Sequence, residues 1–242
     1  MTLAVHLYKR MMRRGRVIAL LALSSVPALV FWLAGFDADS LEKELFYSDI
    51  LANAGYSYAI AVLILTVATL REERDGGTLP YIYMRPIPRI SIAASSIGAG
   101  IAAALTLAIG GWIASALSGF ALGVGLSTTL PGLTLFVAAA VGYAAIFVPL
   151  GYLVPRSLLI GLGYIIVVES ILAQAVTGLA QFSIWRISLS IYADLAPLFG
   201  AEAAEVLGPV TPGIWGGILK LGGSLVVGMT ALTIALQRRD AL

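Results

Sequence analysis

REERDGGTLPYIYMRPIPR, residues 71–89, sets mixed charge, a glycine pair and Pro80, Pro86 and Pro88 between two long apolar runs. Such a segment cannot lie in hydrocarbon, where each unpaired charge or backbone polar group costs several kcal/mol. It reads as an aqueous loop with structure of its own, and the runs on either side read as membrane-crossing helices.

The composition agrees. Of 242 residues 60% are hydrophobic and 12% charged, with a mean hydropathy of +0.96, far from the values of a soluble globular domain. A bilayer core of roughly 30 Å needs about 20 helical residues per crossing. Apolar windows predict an all-α integral membrane protein with six transmembrane helices, near 17–36, 52–70, 91–123, 131–153, 157–180 and 214–236. The chain reads as a single transmembrane domain, 1–242, with no room for a soluble one except in the stretch from Gln181 to Pro212. The third run exceeds one crossing, so it tilts, breaks near Gly110-Gly111, or extends past the membrane surface. Val154, Pro155 and Arg156 alone join the fourth and fifth runs, which makes them an antiparallel hairpin.

Basic residues orient the chain. Lys9, Arg10, Arg13, Arg14, Arg16, Arg71, Arg74, Arg85, Arg89, Arg156, Arg238 and Arg239 fall on one side, whereas only Lys43, Arg186 and Lys220 fall on the other. Both termini and the 71–90 loop are therefore expected in the cytoplasm, in a multi-pass plasma-membrane protein. In residues 1–16, Leu3, Leu7, Met11 and Met12 alternate with cations, the pattern of a short amphipathic helix on an anionic leaflet or of a basic flank that only enforces topology. The first apolar run is too long for a cleaved signal peptide. Residues 181–213 mix Phe182, Ile184, Trp185, Leu189, Ile191, Tyr192 and Leu195 with serines and Arg186, and Pro197, Pro209 and Pro212 prevent one continuous helix. Short re-entrant or interfacial helices between the fifth and sixth spans are expected there. Gly98, Ala102, Ala139, Gly142, Gly161 and Gly163 are the small residues through which helices approach closely in lipid.

Within the loop, Thr78 suits an N-cap and Pro80 suits a first helical turn. A short helix over 79–84 follows, stopped by Pro86 and Pro88, which leaves Leu79, Tyr81, Ile82, Tyr83 and Met84 as an apolar and aromatic knob of the kind that marks a binding surface. Arg71-Glu72-Glu73-Arg74, then Gly77-Thr78-Leu79, then Arg85-Pro86 with Arg89, directly after the second span, resembles the signature of the type-2 ATP-binding-cassette (ABC) exporter permeases. Gly76 is an extra residue relative to that pattern, and Pro80 stands where an acidic residue is common. The resemblance implies that residues 79–84 form a short cytoplasmic coupling helix seated in a groove of a separate ABC ATPase subunit, present in two copies. Arg71, Glu72, Glu73, Arg74, Gly77 and Arg85 would lie at its rim. It further implies a second permease copy or a homologous permease, alternating access, and export of a hydrophobic or amphipathic substrate such as a drug, antibiotic or lipid.

No lysine follows a glycine, so the chain carries no phosphate-cradling loop, and ATP and Mg would belong to the partner subunit. The chain is expected to bind no cofactor, metal or nucleic acid of its own and to be no enzyme. Cysteine is absent, His6 precedes every span, and the spans lack the Ser–His or paired-acid sets of intramembrane proteolysis. Glu169 is the single formal charge well inside a span. An ionised carboxylate is costly there, so it is either a pathway residue facing water or substrate, or a neutral acid hydrogen-bonded to groups around Gln174, to serines or to a neighbouring backbone. A secondary carrier or substrate-binding membrane module working through Glu169 is the alternative function.

Overall fold

The computed structural model describes residues 3–34, 39–77, 87–172, 181–196 and 211–238, and among these residues there is helix and no strand. In chain order the elements are α1 (Leu3–Met11), α2 (Arg14–Ser24), α3 (Val26–Ala34), α4 (Ser40–Ala54), α5 (Tyr56–Asp75), α6 (Arg89–Ala121), the single turn α7 (Leu126–Thr129), α8 (Gly132–Leu153) and α9 (Ser157–Gly163). A π-helix (Tyr164–Leu172) continues α9, and α10 (Ile184–Leu195) and α11 (Gly213–Arg238) complete the set.

Helix α8 is the hub, and its sequence explains why. Ala138, Ala139, Ala140, Gly142, Ala144 and Ala145 are all buried, giving a smooth cylinder against which α5, α6, α10 and α11 each pack. In lipid there is no hydrophobic drive between helices, so backbone proximity supplies the dispersion energy instead. At Gly151 a Cβ would stand 2.3 Å from the carbonyl oxygen of Val67 on α5, so any side chain there would force the two helices apart. Tyr143 and Phe147 stack one turn apart on α8 at 5.4 Å between ring centroids, and Tyr164 meets Phe147 edge-on.

Four helical runs are long and apolar enough to cross a membrane: 41–73, 89–121, 126–153 and 213–238. The pair α2–α3, bent by 42°, makes a fifth if it is one broken span. Pro27, in the first turn of α3, interrupts the backbone ladder at the bend, and Ser24 and Ser25 turn their hydroxyls back onto the carbonyls of Leu20 and Leu21 at 2.8 Å. The fifth expected crossing, 157–180, is described only through residue 172, as α9 and the π-helix.

Two boundaries differ from the hydropathy reading. The second run begins not near residue 52 but at Ser40, because α4 continues into α5. Glu42, Lys43, Glu44 and Asp49 lower the local hydropathy, yet Tyr47, Ile50 and Leu51 recur at helical spacing and are buried. The third run is one helix, unbroken at Gly110-Gly111. In the 181–213 segment, α10 is buried along Ile187–Ala193 against α8 and α11.

Candidate functional site

Helix α5 ends in the motif that opened the sequence. Arg71, Glu72, Glu73 and Arg74 occupy its last turns, and Gly77, at φ +66°, supplies the left-handed residue that terminates it. Thr78, Leu79, Tyr81, Ile82, Tyr83, Met84 and Arg85, and with them the expected coupling helix, lie outside the described residues.

The two acids are held from within the chain. The Arg10 guanidinium donates to Glu73 Oε1 at 2.6 Å and to the Glu72 carbonyl oxygen at 3.0 Å, and its Nε lies 3.4 Å from Glu72 Oε2. Arg16 donates to Glu72 Oε1 at 2.5 Å. His6 Nε2 stands 3.6 Å from Glu73 Oε1. Glu73 is 2% exposed and Arg10 27%, so the pair is shielded on one side and wet on the other. Beside it Thr69 donates its hydroxyl to Met11 Sδ at 3.1 Å. The result is a clasp that ties α1 and the start of α2 to the end of α5, one turn before the loop. Arg10, Arg16 and His6 were not legible as partners of these acids: 56 to 67 residues separate them, and in sequence they read as a basic flank.

Glu169 lies in the other half of the bundle and is fully buried. Its Oε2 accepts from the Tyr143 hydroxyl of α8, and its Oε1 accepts the backbone N–H groups of Ile184 at 3.0 Å and Trp185 at 3.4 Å. Those are the first two N–H groups of α10, donors that no residue of that helix can satisfy. Ser183 completes the cap by accepting from Arg186 N–H at 3.2 Å. The carboxylate thus closes the N-terminus of α10, where the helix dipole favours negative charge. The i→i+5 winding of the π-helix puts residues five apart on one face, so Tyr164 and Glu169 both face α8 and α10. The described hydrogen-bond partners of Glu169 are thus one tyrosine hydroxyl and two backbone N–H groups.

A second polar knot was missed. Glu44 of α4 accepts from Thr128 Oγ1 at 2.8 Å and Gly125 N–H at 3.3 Å, and Ser48 shares a 2.8 Å hydrogen bond with Tyr192 of α10. Nothing local in the sequence singles out Glu44. No cluster of His, Cys, Asp or Glu that could hold a metal occurs among the described residues.

A family model described as ABC-2 family transporter protein matches residues 8–177. No curated protein and no solved structure matches the chain. The matched region runs from within α1 through α9 and the π-helix, taking in Arg10, Arg16, Glu72 and Glu73 of the clasp and Glu169, and comprises more than half of the sequence. Together with helices apolar enough to span a bilayer, it establishes that the chain belongs to the ABC-2 transporter family, as a membrane permease.

Proposed function

We propose that this chain is the membrane-spanning half of an ATP-driven exporter, working as a pair with a second copy or a similar permease above two ABC ATPase subunits. The six-span topology with both termini in the cytoplasm, the coupling helix at 79–84 and the plasma-membrane location all belong to this reading. The substrate class is hydrophobic or amphipathic: a drug, an antibiotic or a lipid. ATP and Mg are held by the ATPase, and this chain contributes no nucleotide site and no catalytic residue.

The observation that carries the reading is the clasp at the root of the 71–89 loop. A push on residues 79–84 from an ATPase would arrive at the end of α5, and Glu72 and Glu73 would pass it to α1 and α2 through Arg10 and Arg16. Charge-assisted hydrogen bonds of this geometry are stiff enough to move elements together rather than past one another. Alternating access then becomes a rigid shift of the α1–α2–α5 unit against the α8 hub. The carrier reading gains nothing from the geometry, because the Glu169 carboxylate is turned toward Tyr143 and the α10 backbone.

The test is to co-express the chain with an ABC ATPase encoded beside it and to replace Tyr81 and Met84 by glutamate. The expected result is loss of co-purification and of substrate-stimulated ATP turnover, with the permease still inserted in the membrane. A chain that purifies alone and transports under an ion gradient, indifferent to those replacements, would overturn the proposal.

A further inference from the structure

Between α8, the start of the π-helix, α10 and α11 lies a groove of about 650 Å³. Ile146, Pro149 and Leu153 form one wall, Phe182 and Ile187 close the top, and α11 contributes Gly223, Ser224, Val227 and Ala231. The gap exists because those α11 side chains are small. At Gly228 the helix approaches α8 so closely that a Cβ would stand 2.1 Å from the Ala145 carbonyl oxygen, whereas at Gly223 an added Cβ would meet nothing within 4 Å. The two helices therefore close tightly at Gly228, with Leu221 against Gly142 as a second contact, and leave an apolar slot beside Gly223.

One cation stands in the lining, Lys220. Its ammonium has a single acceptor among the described residues, the Gln181 carbonyl oxygen at 3.5 Å, and no carboxylate within ion-pair distance. The geometry along α11 matches one leaflet of a bilayer. Lys220 lies seven residues, about 10 Å, from the start of the helix at Gly213. From Lys220 to Ala231 the slot runs about 16 Å, close to half of the roughly 30 Å hydrocarbon core. Trp215, 85% exposed, and Phe182, 70% exposed, stand near the cationic end, where aromatic side chains meet the headgroup region. The other end of α11 packs with Leu70 and Ile92 beside the 71–89 loop, so the cation belongs to the leaflet opposite that loop.

We infer that this groove binds one anionic phospholipid of the surrounding bilayer, an acyl chain lying along Gly223–Ala231 and the phosphate held by Lys220. Depth, apolar lining and a single cation at the headgroup level select that ligand: a zwitterionic phospholipid would bring a second cation beside Lys220 along with its phosphate, and a soluble anion would leave the slot unfilled. The site is distinct from the family resemblance and independent of ATP coupling.

The experiment uses the full chain purified in mild detergent, offered equal amounts of phosphatidylglycerol and phosphatidylcholine with identical acyl chains, with retained lipid counted by native mass spectrometry. The wild type is expected to favour phosphatidylglycerol by about fivefold, the scale of one cation near an anionic headgroup. Lys220→Gln brings the ratio to about one. Gly223→Phe, whose Cβ has open space around it, whose ring is aimed to fill the slot and which raises helix propensity, lowers retention of both lipids with an unchanged melting temperature. An unchanged ratio in Lys220→Gln, or unchanged retention in Gly223→Phe, would overturn the inference. So would a headgroup preference that appears only after Glu202→Gln with Glu205→Gln, since the chain's own acidic segment would then be the partner of Lys220. Because no ATPase enters the assay, its failure leaves the transport proposal standing, and failure of coupling leaves the lipid site standing.

Discussion

Two buried acids in this permease are satisfied in opposite ways. Glu73, at the end of α5, faces a guanidinium, that of Arg10 at 2.6 Å, with the His6 imidazole 3.6 Å away. Glu169, in the π-helix, faces none in its hydrogen-bond shell: its oxygens meet the Tyr143 hydroxyl and the N–H groups of Ile184 and Trp185. The difference follows from the surroundings. Arg10 and Arg16 each keep more than a quarter of their surface exposed, so their desolvation is partial. Within the bundle a guanidinium would have to be stripped of water completely, and neutral donors already fixed by a helix terminus serve the carboxylate at lower cost. A charged clasp can open and reform against water. A capped helix end cannot exchange its partners without breaking, which suits α10 to be a fixed element and the α1–α2–α5 junction to be a moving one.

The largest effect expected is from Glu169→Leu, which leaves the Tyr143 hydroxyl and two backbone N–H groups buried without acceptors. A loss of about 3 kcal/mol in stability is expected from the desolvated donors, read as a large fall in melting temperature in detergent. A melting temperature within a degree of wild type would remove the cap as a source of stability.

Breaking the clasp should cost less in stability and more in function. Arg10→Ala and Glu73→Ala are each expected to destabilise by about 2 kcal/mol, below the 3–5 kcal/mol of a fully buried pair because Arg10 is partly wet. The double variant should cost little more than either alone, since the two share one interaction. Additive losses would show that Arg10 and Glu73 act separately. In the ATPase complex both single variants should uncouple ATP turnover from transport, which the Glu169 variant should not do beyond its loss of folded protein.

Salt separates the regions further. Raising ionic strength from 0.1 M to 1 M shortens the Debye length from about 10 Å to about 3 Å, so the contribution of the Arg16–Glu72 pair, about 30% exposed on either side, should shrink. The Glu169 cap should not respond. A melting temperature of the Glu72→Ala variant that falls with salt as steeply as wild type would place the salt-sensitive contact elsewhere.

The smallest effect is expected from Glu169→Gln. Its carbonyl oxygen still accepts from Ile184 and Trp185, and its amide can donate to Tyr143, so a loss of about 1 kcal/mol is anticipated. Transport assayed in reconstituted vesicles then decides between the two readings of this residue. Rates close to wild type assign Glu169 to the α10 cap, and a collapse in rate with normal assembly returns it to the pathway.

Hydropathy located α6, α8 and α11 to within a few residues, because each is a long apolar run flanked by charge or proline. It placed the start of the second run a dozen residues late, since α4 hides its buried face, Tyr47, Ile50 and Leu51, among four charges. The π-helix had no sequence signature: YIIVVESIL reads as ordinary α-helix, and the wider turn depends on where Tyr164 and Glu169 find partners on α8 and α10. Glu169 itself was conspicuous as the lone charge inside a span, whereas Glu44 stands out only once Thr128 and Gly125 are brought to it.

Sequence by itself determined that this is a helical membrane protein, where its charged loop lies, and which family that loop resembles. Those properties are sums over neighbouring residues, and transfer to lipid is nearly additive along a helix. Only the tertiary structure decided that Arg10 and Arg16 hold Glu72 and Glu73, that Glu169 caps a helix which begins 15 residues later, and that small residues on α11 open a slot beneath Lys220. Each of these joins groups from separate helices, and which helices meet is set by close packing around the alanine-rich surface of α8 rather than by any local pattern.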